Sequence, residues 1–142
     1  MVNAFKYLTS VLFVAVVVQM ALAGYGVFYV LHKANHDGSV SKQAFEHGFN
    51  AHAIVGTVLL VVMLLLVIVA AAGRLGPAAL KFTIALLVAG ILQMAFAALG
   101  RSVPVLGFLH IVNALAIYAA AAMLAHRAWM RGLGGAVPDA AA

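Results

Sequence analysis

Two histidines carry the spacing that most invites chemistry in this chain. His52 lies in Phe45-Glu46-His47-Gly48-Phe49-Asn50-Ala51-His52-Ala53-Ile54-Val55-Gly56, and His110 lies in Gly107-Phe108-Leu109-His110-Ile111-Val112-Asn113-Ala114. Imidazole binds metals and hydrogen-bonds at both ring nitrogens. A polar, ionisable ring inside an apolar span is costly and is by default a functional candidate. Residues three and four positions away share its helical face. Around His52 these include Gly48, Phe49, Val55 and Gly56; around His110 they include Gly107, Asn113 and Ala114. Small side chains one turn from an imidazole leave room for a flat macrocycle. Two imidazoles at one depth on separate helices form an axial pair that haem iron accepts. The pattern therefore predicts a haem with His52 and His110 as its metal ligands. Gly48, Gly56, Gly107 and Ala114 would line it, and Arg101 would face a propionate, with Lys42 and Lys33 as further candidates. The same residues also suit plain helix packing, where histidine bonds a neighbouring helix and glycine and alanine allow close approach.

The other polar residues add less. Gln19 and Gln93 lie within apolar spans, where glutamine joins helices or edges a haem or quinone pocket. His32 and His36 are spaced as one helix face can use for a metal, with His47 close in sequence, although a solvated loop accounts for them as well. The chain has no cysteine, which removes disulfides, iron–sulfur clusters and thiolate chemistry. It shows no nucleophile–base set, no glycine-rich phosphate loop and no paired carboxylates. A second haem would need two more histidines near the opposite face. His126 is available there, but residues 60–72 contain none, so one haem is the ceiling.

The elements that must position these rings are apolar throughout. Of 142 residues, 67% are hydrophobic and 8% charged, with mean hydropathy +1.17. Soluble domains carry about 25% charged residues, so this composition predicts an integral membrane protein in contact with lipid. The formal charge of +5 comes from lysines and arginines scattered singly between apolar runs. They form no basic patch, which argues against nucleic acid. The spans read as residues 8–31, 49–72, 78–99 and 103–125, each near the roughly 20 residues that cross a bilayer. Nothing alternates as barrel strands do, so the spans are helices. Residues 32–46 read as the one long polar loop, with Ser39 or Ser41 as N-cap of the second helix. Turns are expected at residues 73–77, with Pro77 in a helix first turn, and at residues 100–104. Short turns make neighbours antiparallel. The expected fold is all-α, an up-down-up-down four-helix transmembrane bundle over residues 1–131, with a flexible tail over residues 132–142.

With the N-terminus inside, the inner side holds five basic residues, Lys6, Arg74, Lys81, Arg127 and Arg131, and the outer side three, Lys33, Lys42 and Arg101. That bias favours an N-in, C-in orientation. His52 and His110 then lie roughly 5 and 10 Å below the outer ends of their spans. Ala21-Leu22-Ala23 after Lys6 mimics a signal-peptide cleavage site, but the apolar run continues to Leu31, too long for a signal peptide's core, so the segment is expected to be retained.

Four segments carry a wider resemblance: Gln19-Met20-Ala21-Leu22-Ala23-Gly24, His52-Ala53-Ile54-Val55-Gly56, Leu92-Gln93-Met94-Ala95-Phe96-Ala97 and Leu106-Gly107-Phe108-Leu109-His110-Ile111-Val112-Asn113-Ala114. In these the chain resembles an uncharacterised family of small four-span bacterial membrane proteins. More distantly it is similar to one four-helix half of haem A synthase, in which histidines on the second and fourth helices ligate a b-type haem. That resemblance implies His52 and His110 by position. The synthase motif has a glutamate three residues before a His-Arg pair, whereas Asn50-Ala51-His52-Ala53 has neither; it implies haem binding rather than hydroxylation of a haem substrate.

These readings predict a cytochrome b-like protein of the bacterial inner (cytoplasmic) membrane, serving electron transfer or haem handling. Its partners would be a quinone or a redox protein, in a homo-oligomer or a complex. The competing reading is a non-catalytic membrane subunit or scaffold that packs on partner proteins. A small transporter or channel fits less well, since the chain has no broken helix, inverted repeat or intramembrane carboxylate of the usual kind.

Overall fold

A computed structural model describes residues 1–130 of the chain. It is all-α, with four helices and, among the described residues, no strand: α1 Val2–Asp37, α2 Lys42–Ala72, α3 Pro77–Leu99 and α4 Pro104–Met130. Each helix is long and apolar enough to cross a membrane. The shortest, α3, has 23 residues, about 34 Å at the α-helical rise and so longer than a hydrocarbon core of about 30 Å. The expected tail over residues 132–142, together with Arg131, lies outside the described residues.

The helix ends follow local chemistry. Ser41 caps α2, its Oγ accepting from the Ala44 amide at 3.0 Å. Pro77 opens α3, where its missing N–H costs nothing. Gly38 ends α1 in the left-handed region at φ 71°, which glycine enters without the penalty a Cβ imposes. One expectation is corrected here. Residues 32–46 are not a long loop: helix persists to Asp37 and resumes at Lys42, leaving a turn of residues 38–41. A fall in hydropathy marks where lipid would end, but Leu31, His32, Lys33 and Ala34 still favour helix well enough to continue.

The helices form a ring in which α1 contacts α2, α2 contacts α3, α3 contacts α4 and α4 closes on α1. Each runs antiparallel to its neighbours, and α2 and α4 stand on one diagonal. The end bearing the α1–α2 and α3–α4 turns is termed the upper end.

The buried positions reveal an internal repeat. Along α1 the core face reads Phe5, Thr9, Leu12 and Val16, then half-buried Gln19; along α3 it reads Ala79, Thr83, Leu86 and Gly90, then half-buried Gln93. The spacing is identical. From His52 along α2, Leu59, Met63, Leu66 and Ala70 are buried; from His110 along α4, Ile117, Ala121, Leu124 and Ala128 repeat the same steps. Both buried threonines bond back into their own helix, Thr9 Oγ1 to the Lys6 carbonyl at 2.8 Å and Thr83 Oγ1 to the Leu80 carbonyl at 3.0 Å. The α1–α2 hairpin therefore recurs as α3–α4 in the same orientation, a parallel repeat about the bundle axis.

Close crossings repeat as well. A Cβ on Gly26 would lie 2.8 Å from the Phe49 ring and 3.0 Å from the Gly48 carbonyl, and one on Gly100 would lie 2.7 Å from the Gly107 amide nitrogen. Glycine thus lets each hairpin close tightly at its upper end. The packed core nevertheless fills mainly the lower half. Above Gly90 and Ile117 the core-facing residues of α3 and α4, which include Gln93, Ala97, Gly107 and His110, are half-buried or exposed. The histidines sit where the tight core stops.

Candidate functional site

His52 on α2 and His110 on α4 face one another across the diagonal. Their ring centroids are 6.3 Å apart and their planes meet at 63°. The match in height follows from the repeat, since each histidine begins the same buried series on its helix.

A glutamine on the preceding helix fixes each ring. His52 Nδ1 donates to the Gln19 backbone carbonyl at 3.1 Å, and His110 Nδ1 donates to the Gln93 backbone carbonyl at 3.0 Å. A carbonyl oxygen only accepts, so in each neutral ring Nδ1 carries the proton and Nε2 keeps its lone pair. This is the arrangement of a metal-binding histidine, in which the far nitrogen bonds a carbonyl and fixes tautomer and orientation. Phe49 adds an edge-on contact to His52, with centroids 6.2 Å apart and planes at 87°.

The two hairpins differ in what the glutamine side chains do. Gln19 Nε2 donates to the His52 carbonyl at 2.8 Å, while Gln19 Oε1 is buried with no hydrogen-bond partner among the described residues. On the other side Asn113 Nδ2 donates to the Ala89 carbonyl at 2.9 Å and to Gln93 Oε1 at 2.7 Å. Gln93 Nε2 then donates to His110 Nε2 at 3.2 Å. The Ala89 carbonyl anchors the donor sense of this relay, because it leaves Asn113 only the amide nitrogen to present. The position equivalent to Asn113 on α2 is Val55, three residues past His52, which has no polar group to offer Gln19.

The remaining predicted residues are distributed as follows. Gly56 lies against Gln19, whose Nε2 would be 3.0 Å from an added Cβ. Gly48 packs on Gly26 and Tyr29, and Gly107 lies near Gly100. In this structure the three glycines make room for a neighbouring helix or its side chain. Ala114 is half-buried one turn below His110. Arg101 is exposed, its guanidinium 5.9 Å from the Phe45 ring centroid, and Phe45 stacks on Phe49 at 4.8 Å. Exposed Lys42 pairs with Glu46 at 3.5 Å, so it turns along its own helix. His32 and His36 have centroids 5.3 Å apart, while His47 stacks on Tyr29 at 5.2 Å. Among the described residues no group of three or more histidine or acidic side chains is poised for a metal. Lys33 lines a separate polar cleft at the α1–α2 turn with Tyr29, Asp37 and His47.

Sequence reasoning treated Gln19 and Gln93 mainly as links between helices and gave Asn113 no role of its own. The missed signal was the repeated Gln-Met-Ala, which places a glutamine at the same level on α1 and α3.

The donor set suits a bis-histidine haem in several respects. A metal–imidazole bond is about 2 Å, so two rings sharing one metal through Nε2 have centroids roughly 6 Å apart, close to the separation here. Both outer nitrogens are already satisfied by carbonyls. Against this, Gln93 holds His110 Nε2 and must release it before His110 can coordinate. Compared with known protein families, with curated proteins and with solved structures, the chain matches none of them.

Proposed function

We propose that this chain is a membrane b-type haem protein in which His52 and His110 would hold the haem. One observation carries the reading: two imidazoles on diagonal helices, 6.3 Å apart, each with Nδ1 bonded to a backbone carbonyl and Nε2 carrying a lone pair. Haem iron, when bound, supplies one-electron chemistry. The chain's own part is to hold two neutral imidazoles at one height and to exclude water below them with the packed lower core. Gly56 and Ala114 lie one turn below the rings, and exposed Arg101 would supply a cation for a propionate. The distant resemblance to half of haem A synthase supports the same pair of ligands.

The rest follows from placing the bundle in lipid. Four apolar helices and the basic-residue bias support an inner-membrane protein with both termini inside. His52 and His110 would then lie toward the outer leaflet. A single haem held by these two residues would supply electron exchange with a quinone or a redox partner protein, or be handed on, and would not by itself carry charge across the membrane. The second reading is a non-catalytic subunit, favoured by the complete hydrogen bonding of His110 without any metal.

Optical spectra separate the two. Protein purified from cells supplied with haem is expected to show a Soret band and reduced α and β bands. His52→Ala and His110→Ala are each expected to abolish the low-spin spectrum. A haem-free wild-type protein that copurifies with a stoichiometric partner would establish the scaffold instead.

A further inference from the structure

The repeat makes the two histidines equivalent in position, yet their surroundings make them unequal in chemistry. His52 Nε2 has no hydrogen-bond partner among the described residues, because Gln19 directs its amide to the His52 carbonyl. His110 Nε2 accepts from Gln93, and Asn113 holds Gln93 in that pose through its Oε1. The difference traces to one pair of equivalent positions, Val55 on α2 and Asn113 on α4.

We propose that His52 is the fixed axial ligand and His110 a displaceable one, with the Gln93–Asn113 relay competing with iron for His110 Nε2 so that a small exogenous ligand takes the vacated coordination position. This rests on the haem reading above and goes beyond it, by assigning a ligand-binding face and a positioning residue. Iron and the Gln93 amide cannot both use one lone pair. Whenever His110 turns to Gln93 it loses no hydrogen bond, since Nδ1 keeps the Gln93 carbonyl. His52 has no such resting place among the described residues, so no side-chain amide there competes for its Nε2. The ligand class is a neutral diatomic such as carbon monoxide, which brings no charge into an apolar bundle.

Asn113 acts through Gln93 and touches neither iron nor ligand. Asn113→Val copies the α2 side and frees Gln93 to turn away as Gln19 does. The lost competitor is one hydrogen bond, equivalent to roughly 2- to 10-fold in an equilibrium. Val55→Asn adds the matching cap on His52 and should act in the opposite direction.

The experiment is carbon monoxide titration of the reduced, haem-loaded protein in detergent, with spin state read from the oxidised spectrum. Asn113→Val is expected to lower carbon monoxide affinity roughly 2- to 10-fold and to raise the low-spin fraction. Val55→Asn is expected to raise the affinity. Gln93→Met, which removes the cap directly, should match Asn113→Val and serves if that variant folds poorly. A haem-free readout accompanies these: in ¹⁵N-histidine-labelled protein the His110 Nε2 resonance should move toward that of His52 when Asn113 becomes valine. A Soret band with unchanged affinity and spin state in Asn113→Val and Gln93→Met overturns this proposal and leaves the haem reading standing. A stationary His110 Nε2 resonance overturns the relay itself. A wild-type protein without a Soret band overturns both readings.

Discussion

Gly24 and Gly26 lie two residues apart on α1, and replacing each by alanine should move stability in opposite directions. Nothing lies within 4 Å of a Cβ built on Gly24, whereas one on Gly26 meets the Phe49 ring at 2.8 Å and the Gly48 carbonyl oxygen at 3.0 Å. Ordinary contact begins at 3.4 Å, so the ring must retreat by about 0.6 Å in an interior that is close-packed. Phe49 has little freedom to do so, since it stacks on Phe45 at 4.8 Å and sits edge-on to His52 at 6.2 Å. The Gly48 carbonyl is backbone and moves only with α2. Overpacking of this kind costs about 1–3 kcal/mol. Alanine in a helix interior is favoured over glycine by roughly 0.5–1 kcal/mol. Gly24→Ala should therefore stabilise by up to about 1 kcal/mol, and Gly26→Ala should fall below it by about 1–3 kcal/mol. The assay is unfolding in mixed micelles of rising dodecyl sulfate fraction, followed by circular dichroism. If Gly26→Ala tolerates as much dodecyl sulfate as Gly24→Ala, α1 and α2 do not cross closely at Gly26.

Two further outcomes are expected from the same assay. Ser41→Ala removes the cap on the α2 amides and should cost about 1 kcal/mol, with Ser41→Asp retaining most of the stability; a neutral alanine variant would contradict the capping role. Thr9→Val and Thr83→Val remove equivalent buried hydroxyls that bond only within their own helices. Each should cost less than about 1 kcal/mol, and the two should agree within about 0.5 kcal/mol. A large difference between them would show that the repeated register does not give repeated environments.

Much of the fold was legible because lipid compatibility and helix punctuation are written locally. Pro77, Gly73 and the run from Gly100 to Pro104 mark their turns in the sequence. The segment of residues 32–46 misled because hydropathy reports where apolar surface ends, not where helix ends. The histidine pair was legible as two rings at one height, since rise per residue converts position into depth. Their hydrogen bonds were not. Nδ1 of each ring bonds a glutamine backbone carbonyl, an acceptor every residue possesses, so no residue type announces it. The glycines were read as clearance for a macrocycle, yet their neighbours here are Gly26, Gln19 and Gly100. Sequence gives the absence of a Cβ but not what occupies the space. The repeat was readable, as Gln19-Met20-Ala21 against Gln93-Met94-Ala95, but only once register rather than motif was compared.

The unequal glutamines give a final prediction that does not involve haem. Among the described residues Gln19 makes one side-chain bond, to the His52 carbonyl, and buries an unpartnered Oε1. A bond between helices in a membrane contributes about 0.6 kcal/mol on average, whereas an unsatisfied buried acceptor costs about 1–3 kcal/mol. Replacing Gln19 by the similarly shaped methionine removes both at once and should leave stability unchanged or raise it slightly. Gln93 is satisfied at both ends, by Asn113 and by His110. Its replacement by methionine breaks two bonds and strips His110 Nε2 of its partner, so it should destabilise haem-free protein by about 1–3 kcal/mol. The order of the two effects is what matters. Micelle unfolding of haem-free Gln19→Met and Gln93→Met measures it directly. A Gln19 variant that is the less stable of the two would mean that Gln19 Oε1 has a partner of its own, and that the α1–α2 side of the site is as tightly tied as the side held by Asn113.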